Sequence, residues 1–422
     1  MRLYSRKDVL NSINSLNYNV KLVFAFSFLQ SVGRGIWMGN ILSSYIFLIA
    51  NESNELLGLT SAITGVAMTM TVLPAGYFSD RLPRDRILKS ASVMGFIGLV
   101  IALLATNIMM IFIALLFWGL FQGMNRPSLE ALFADSVESG SRSKIYAWNH
   151  LTRQFAMASG PFVNIILFIL LGDVWEIQIL KIVMIFGLLI SMSSLIVMLR
   201  FNDKKSLGKA SEHLDIVLIT NNDENSYNLS PNFLIIIILL ISNLIIGFGA
   251  GMTIKFFPIF FMKQYDMTPI PVQLIMGTTS IFTGLTSIYA QKFSLKRGRA
   301  EMIFFVQGIA TACLFIISFY PPVLILIPIF LARGSLMNAS QPLSRSILMD
   351  AVPKRNRGKV NSIQTLSWGM FWNFSAAIGG FLIGPNNNFK FCFIVTTSLY
   401  VIGTLLILII IPLVSKEKQI TS

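Results

Sequence analysis

Long apolar stretches alternate with short polar ones along the whole chain. Twelve predominantly apolar runs lie at positions 20–50, 56–78, 87–106, 108–134, 145–171, 176–200, 233–262, 269–291, 301–320, 323–348, 360–384 and 389–413. A run of about 20 such residues, wound as an α-helix, spans the hydrocarbon core of a bilayer. Helix is the state to expect there, because lipid offers no hydrogen-bond partners and a helix satisfies its backbone internally. The pattern predicts an all-α membrane protein with twelve transmembrane helices. The longest polar stretch, Phe201–Asn232, is rich in Asn, Asp, Lys and Ser and leaves six runs on either side. It reads as a cytoplasmic linker, with a short surface helix near Ala210–Ile219, between domains at 1–200 and 233–422. The first run is too long for a removable signal peptide and lacks a small-residue cleavage site.

Composition removes other classes. Only 12% of the 422 residues are charged, 54% are hydrophobic, and the mean hydropathy is +0.70. A soluble domain carries about twice that charge. The net charge of +14 and pI near 9.8 raise the question of nucleic acid. The basic residues sit in alternate inter-run loops, however, so membrane topology is the better cause. With the N-terminal tail taken as cytoplasmic, the cytoplasmic segments hold 24 of the 33 Lys and Arg, while the opposite side holds Lys263 and Lys390. Both termini are then cytoplasmic, in a multi-pass protein of the cell membrane. The two cysteines, Cys313 and Cys392, fall inside runs and imply no disulfide framework. His150 and His213 lie far apart, and nothing has metal-ligand spacing. No nucleophile elbow, phosphate loop or dinucleotide fingerprint is present, so the expectation is no enzyme, no cofactor and no metal.

The second half repeats the first. A shift of 215 carries Gly119, Pro127, Asp135, Val137, Arg142 and Lys144 onto identical residues at Gly334, Pro342, Asp350, Val352, Arg357 and Lys359. It also carries Phe78, Ser79, Arg81 and Arg84 onto Phe293, Ser294, Lys296 and Arg299. One ungapped offset over three runs marks an internal repeat. The fold to expect is two pseudo-symmetric six-helix bundles.

The loop Gly76–Lys89 carries the most specific writing. Gly76, Asp80, Arg81 and Arg84 stand in the order Gly-x-x-x-Asp-Arg-x-x-Arg between two apolar runs. This resembles the loop between helices 2 and 3 of the major facilitator superfamily of secondary transporters. Pro83 stands where that family usually has glycine. Asp85 replaces a second basic residue, and Arg86 supplies a positive charge one position later. The resemblance implies two halves related by an axis along the membrane normal, with a central solute site. It also implies a latch, in which Asp80 sits near the start of a helix of the other half, favoured by that helix dipole. Asp135 with Arg142, and Asp350 with Arg357, look like the family's acid-to-arginine pairs after helices 4 and 10. Asp80 has no counterpart in the second half, where the shift lands on Leu295.

Ionisable groups inside runs point to the substrate, since each costs on the order of 3 kcal/mol in lipid and is retained for a reason. Arg34, Arg126, Arg153, Lys255, Arg333 and Arg345 stand against one acid, Glu130. The family lines its cavity with helices 1, 4, 7 and 10. That makes Arg34, Trp37, Asn40, Gln122, Arg126, Lys255, Arg333 and Gln341 the substrate-facing candidates, with Tyr45, Trp368 and Trp372 shaping the walls. Excess positive charge favours a small organic anion or carboxylate-bearing metabolite as the substrate. Glu130 maps onto Arg345 under the shift, and the two are expected to pair across the pseudo-twofold axis as a cytoplasmic gate, with Arg126 and Arg153 as competing partners. Gly160-Pro161 in the fifth run resembles part of the Gly-x-x-x-Gly-Pro motif of drug/proton antiporters, although Ala156 replaces the first glycine and Gly119 stands where those proteins carry an arginine. A multi-substrate:proton efflux antiporter is therefore the alternative function, and a non-transporting receptor or scaffold a third. The partners expected are the solute, the lipid bilayer and a proton as candidate coupling ion, with the chain working as a monomer and without nucleic acid.

Overall fold

The computed structural model describes residues 16–137, 142–207, 231–352 and 357–420, except the side chains at 80, 142–144, 231–232, 357–359, 361–368 and 415–420. The expected surface helix near Ala210–Ile219 lies outside the described residues. Fourteen α-helices make up almost all of what is described: α1 (Tyr18–Trp37), α2 (Asn40–Ile49), α3 (Asn54–Arg81), α4 (Arg84–Leu104), α5 (Ile108–Asp135), α6 (Arg142–Leu171), α7 (Ile177–Met198), α8 (Pro231–Ile254), α9 (Phe257–Tyr265), α10 (Pro269–Arg297), α11 (Arg299–Ile317), α12 (Val323–Ala351), α13 (Arg357–Ile383) and α14 (Phe389–Ile420). Nine of the described helices are long and apolar enough to cross a membrane by length and composition alone. The apolar side chains point outward as well as inward: Leu324 is 87% exposed and Phe155 and Leu170 each 75%. Water would not tolerate that display over a whole surface, whereas lipid is its solvent.

Fourteen helices and twelve runs agree because the two longest runs are each broken once. The first breaks at Met38-Gly39, where Gly39 takes φ +102°, a conformation that suits glycine and few other residues. The seventh breaks at Lys255-Phe256. Pro258 follows in the first turn of α9, where its missing N–H costs least and where it cannot continue the α8 ladder.

The loop expected over Gly76–Lys89 is mostly helix. α3 continues to Arg81 and α4 begins at Arg84, which leaves Leu82-Pro83 as the whole turn. Pro83 has φ −53° and ψ 124°, outside the helical region, and its carbonyl accepts from Arg86 N–H at 3.0 Å. The 215 shift places Pro83 on Gly298, the single residue between α10 and α11, held at φ +111°. A rigid φ at one break and glycine freedom at the other end the helices at matching positions.

Packing divides the chain into two compact units: Met1–Gly39, Val66–Gly160 and Ile182–Asp223 in unit one, and Asn40–Gly65, Pro161–Lys181 and Glu224–Ser422 in unit two. The cuts fall at the Gly39 break, within α3, at Gly160-Pro161 within α6, and within α7. In unit one, Trp37 packs edge-on against Trp118 at 5.3 Å, and Trp118 against Phe121 at 4.8 Å. In unit two, an aromatic cluster of Phe257, Phe260, Phe261, Phe330, Phe389 and Phe393 joins α9, α12 and α14 and is fully buried. Close backbone approach does the rest, as expected where lipid leaves no hydrophobic drive between helices. A Cβ on Gly35 would lie 2.6 Å from Met157 O and 3.2 Å from Gly160 Cα, so α1 and α6 cross in contact there. The start of α3 meets α13 the same way, where a Cβ on Gly58 would fall 2.5 Å from Ala376 O.

Candidate functional site

Unit one brings three arginines and one acid together. The α1–α6 crossing at Gly35 and Met157 sets Arg34 beside Arg153, which lies one turn before Met157. Trp37, one turn on from Arg34, holds α1 against α5 through Trp118. The charges of Arg126 and Arg153 both act on Arg34, and Glu130 and Arg153 act on Arg126. Arg34 is half-buried and its Nε reaches Met38 Sδ at 3.3 Å, while Arg126, Glu130 and Arg153 are exposed side chains of the unit. Arg126 and Glu130 are four apart on α5, the spacing at which opposite charges attract along one helix face. Between them, Ser128 Oγ is buried without a hydrogen-bond partner, as is Asn125 Oδ1 next to Arg126. Gln122 lies half-buried one turn earlier on the same helix.

Two of the sequence candidates are packed into protein instead. Trp37 is 1% exposed and its indole N–H donates to Ser191 Oγ at 3.0 Å. Arg333 is 5% exposed; its Nη2 donates to Tyr400 Oη at 3.1 Å and its guanidinium lies 4.9 Å from the centre of the Phe257 ring. Both fill gaps between helices; the Trp37 indole has its one donor satisfied, whereas Arg333 Nε is buried without a partner. Tyr45 is likewise buried, at 1% exposed.

Unit two contains a polar group that sequence reasoning did not assemble. Gln273 on α10 is fully buried, and its carbonyl oxygen accepts from Asn40 at 3.5 Å and Asn164 at 3.4 Å. Asn40 opens α2 directly after the Gly39 break. Lys255, at the other break, donates to the hydroxyl of Ser61 on α3. Neither Gln273 nor Ser61 stands out in sequence, since single amides and hydroxyls are common inside helices. Gln341 is half-buried on α12, and Arg345 is exposed on the same helix. Apolar clefts of about 500 and 460 Å³ run between α10 and α12 and between α11 and α14. No basic side chain lines either, so neither fits an anion.

The repeated charges form a repeated ion pair. Arg84 at the start of α4 pairs with Asp135 at the end of α5, and Arg299 at the start of α11 pairs with Asp350 near the end of α12. The 215 shift superimposes the two pairs. It extends to the next contact: Arg84 Nη1 donates to Ala131 O at 3.2 Å, and Arg299 Nη1 to Ser346 Oγ at 2.6 Å. Each acid thus has as partner an arginine at the start of the neighbouring helix, 51 residues earlier. The side chains of Arg142, Arg357 and Asp80 lie outside the described residues. Arg81 caps the Tyr77 ring at 4.2 Å, and nothing crowds Gly76, where an added Cβ would meet open space.

Comparison with known proteins gives a consistent picture of the fold. The model of the Major Facilitator Superfamily matches residues 23–241 and 239–421. A stretch of 128 residues, 29% of this chain, is 30% identical to a Na(+), Li(+), K(+)/H(+) antiporter of Planococcus maritimus, and spans 30% of that protein's length. Similar solved structures include a bacterial homologue of the human lysosomal transporter Spinster (TM-score 0.73, 13% identity, 93% of this chain and 96% of that one). The nucleoside transporter NupG (0.68, 12%, 93% and 99%) and a bacterial homologue of the iron transporter ferroportin (0.68, 12%, 92% and 98%) are also similar. At such identities these likenesses speak for the fold alone. Twelve apolar runs along the sequence, nine helices among the described residues fit to cross a membrane, and the family's model matching both halves make this chain a multi-pass membrane transport protein that belongs to the Major Facilitator Superfamily.

Proposed function

We propose that the protein is a secondary active transporter that moves a small organic anion or carboxylate-bearing metabolite by alternating access. One observation carries the reading: Arg34, Arg126 and Arg153 act on one another from α1, α5 and α6, with Glu130 as the acid beside them. Like charges gathered inside a bilayer protein repel, and an anionic solute relieves that repulsion. The moving parts are the two sequence halves, 1–200 and 233–422, joined by the linker 201–232. Gly76, Asp80 and Arg81 latch one half to the other, the Arg84–Asp135 and Arg299–Asp350 pairs tie α4 to α5 and α11 to α12, and Glu130 meets Arg345 as a gate in one state. The chain works as a monomer in the cell membrane, with both termini cytoplasmic. The test is uptake into proteoliposomes of labelled succinate, a neutral analogue such as its diamide, and the cation tetraphenylphosphonium. Arg34→Gln and Arg126→Gln are expected to weaken succinate transport more than that of the diamide. Equal losses would assign the arginines to bracing and remove the anion preference.

A second reading, a drug or multi-substrate:proton antiporter, draws on the partial match to a cation/proton antiporter. Export of tetraphenylphosphonium against a proton gradient, with no succinate movement, would select it.

A further inference from the structure

We infer that Lys255 carries the coupling proton; this rests on the transport reading above. Lys255 occupies the break between α8 and α9, within the seventh apolar run. Its amine is half-buried and donates to Ser61 Oγ, and Ser61 is 0% exposed. An ionisable side chain kept at such a place is kept for function.

Among the basic arginine and lysine side chains of the apolar runs, Lys255 differs in kind. Arg34, Arg126, Arg153, Arg333 and Arg345 bear guanidinium groups, which hold their proton at any pH the protein meets. A lysine amine exists with and without its proton and exchanges it readily in a protein interior. Lys21, Lys89, Lys181 and Lys390 lie in the first two turns of α1, α4, α7 and α14, near helix ends. Glu130 lies four residues from Arg126 on α5, and its charge acts on Arg126. Lys255 has no such partner, since no carboxylate among the described residues is within ion-pair distance of it.

The charged and titratable groups on the surrounding elements are engaged elsewhere. Lys263 of α9 pairs with Glu52 at 2.6 Å, and Glu55 of α3 accepts from Ser53 at 2.7 Å. Arg333 of α12 holds Tyr400 of α14, Lys390 lies 5.0 Å from the Phe319 ring centre, and the Cys392 thiol donates to Met252 O at 3.4 Å. The 369–383 part of α13 and the 269–291 part of α10 contain no charged residue.

The chemistry is a single proton transfer. The ammonium, with Ser61 Oγ accepting, gives its proton to water on one side of the membrane. The free amine then accepts from the Ser61 hydroxyl, and a proton from the other side restores the ammonium. No other bond changes. The protonated lysine adds a positive charge that favours an anion, so proton and anion travel together.

Proteoliposomes holding an internal pH dye, under a clamped membrane potential, measure proton and labelled succinate flux together. The wild type should carry a proton with each succinate. In Lys255→Arg, whose guanidinium cannot release a proton, the proton-to-succinate ratio should fall to background. Ser61→Ala, which removes only the hydroxyl, should shift the pH dependence of succinate flux; an unchanged profile counts against the site if Lys255→Arg fails to insert. Succinate movement with a wild-type proton ratio in Lys255→Arg, or without protons in the wild type, overturns the assignment alone. Movement of no probe, succinate or tetraphenylphosphonium, by wild type overturns the transport reading and this inference with it.

Discussion

An alanine at the α1–α6 crossing separates packing from solute chemistry. In Gly35→Ala the new methyl would lie 2.6 Å from Met157 O and 3.2 Å from Gly160 Cα. Ordinary contact needs about 3.5–4.0 Å, so the helices must part by about 1 Å. Both obstacles are backbone, which cannot rotate aside as a side chain does. Overpacking of this kind costs about 1–3 kcal/mol, and the rigid neighbours favour the upper end. Gly160→Ala strikes the same crossing from α6, where the nearest atoms are the backbone of Gly35. Because one separation relieves both methyls, the double variant should lose less than the sum of the two. Cys313 and Cys392 are free and buried, so a thiol-reactive dye reports unfolding of the detergent-solubilised protein directly. Each single variant should melt clearly below wild type, with Gly160→Ala at least as low as Gly35→Ala. Wild-type melting of Gly160→Ala would refute the crossing. A transport defect at unchanged stability would return Gly160-Pro161 to a direct part in antiport, as its motif resemblance suggests.

Three further outcomes follow from the same geometry. Arg299→Gln and Asp350→Asn remove a partly exposed pair, so melting should shift by no more than about 1 kcal/mol of stability while transport falls; the reversed pair Arg299→Asp with Asp350→Arg should recover part of the flux, and a large loss of stability in either single variant would show the pair to be structural. Trp37→Phe deprives the buried Ser191 hydroxyl of its donor and should cost about 1–3 kcal/mol with KM for succinate unchanged; a changed KM at wild-type stability would put Trp37 in the solute path. Tyr400→Phe leaves the Arg333 guanidinium buried without its acceptor and should destabilise by about 1.5–3 kcal/mol; adding Arg333→Met, which removes the stranded charge, should restore part of the loss, and a double variant worse than the single would show that Arg333 has a further role.

The sequence by itself determined the number and order of the spans, because the bilayer sets one length for every apolar run and excludes strands with open edges. It determined the repeat as well, and through it the equivalence of Arg84 with Arg299 and Asp135 with Asp350. The anion reading came from charges whose placement inside apolar runs is visible without coordinates. Three matters needed the tertiary structure. The breaks at Gly39 and Lys255 lie inside unbroken apolar runs, where hydropathy is silent and only backbone conformation tells. The Arg84–Asp135 and Arg299–Asp350 pairs join residues 51 positions apart on neighbouring helices, so only the packing of α4 on α5 and of α11 on α12 shows them. The separation of Trp37 and Arg333 from Arg34 and Lys255 depended on neighbours far along the chain: Ser191, Tyr400 and Ser61. Periodicity assigns a side chain to a helix face. What that face meets is set by helix crossings, which depend on where small residues such as Gly35 and Gly160 let two backbones touch.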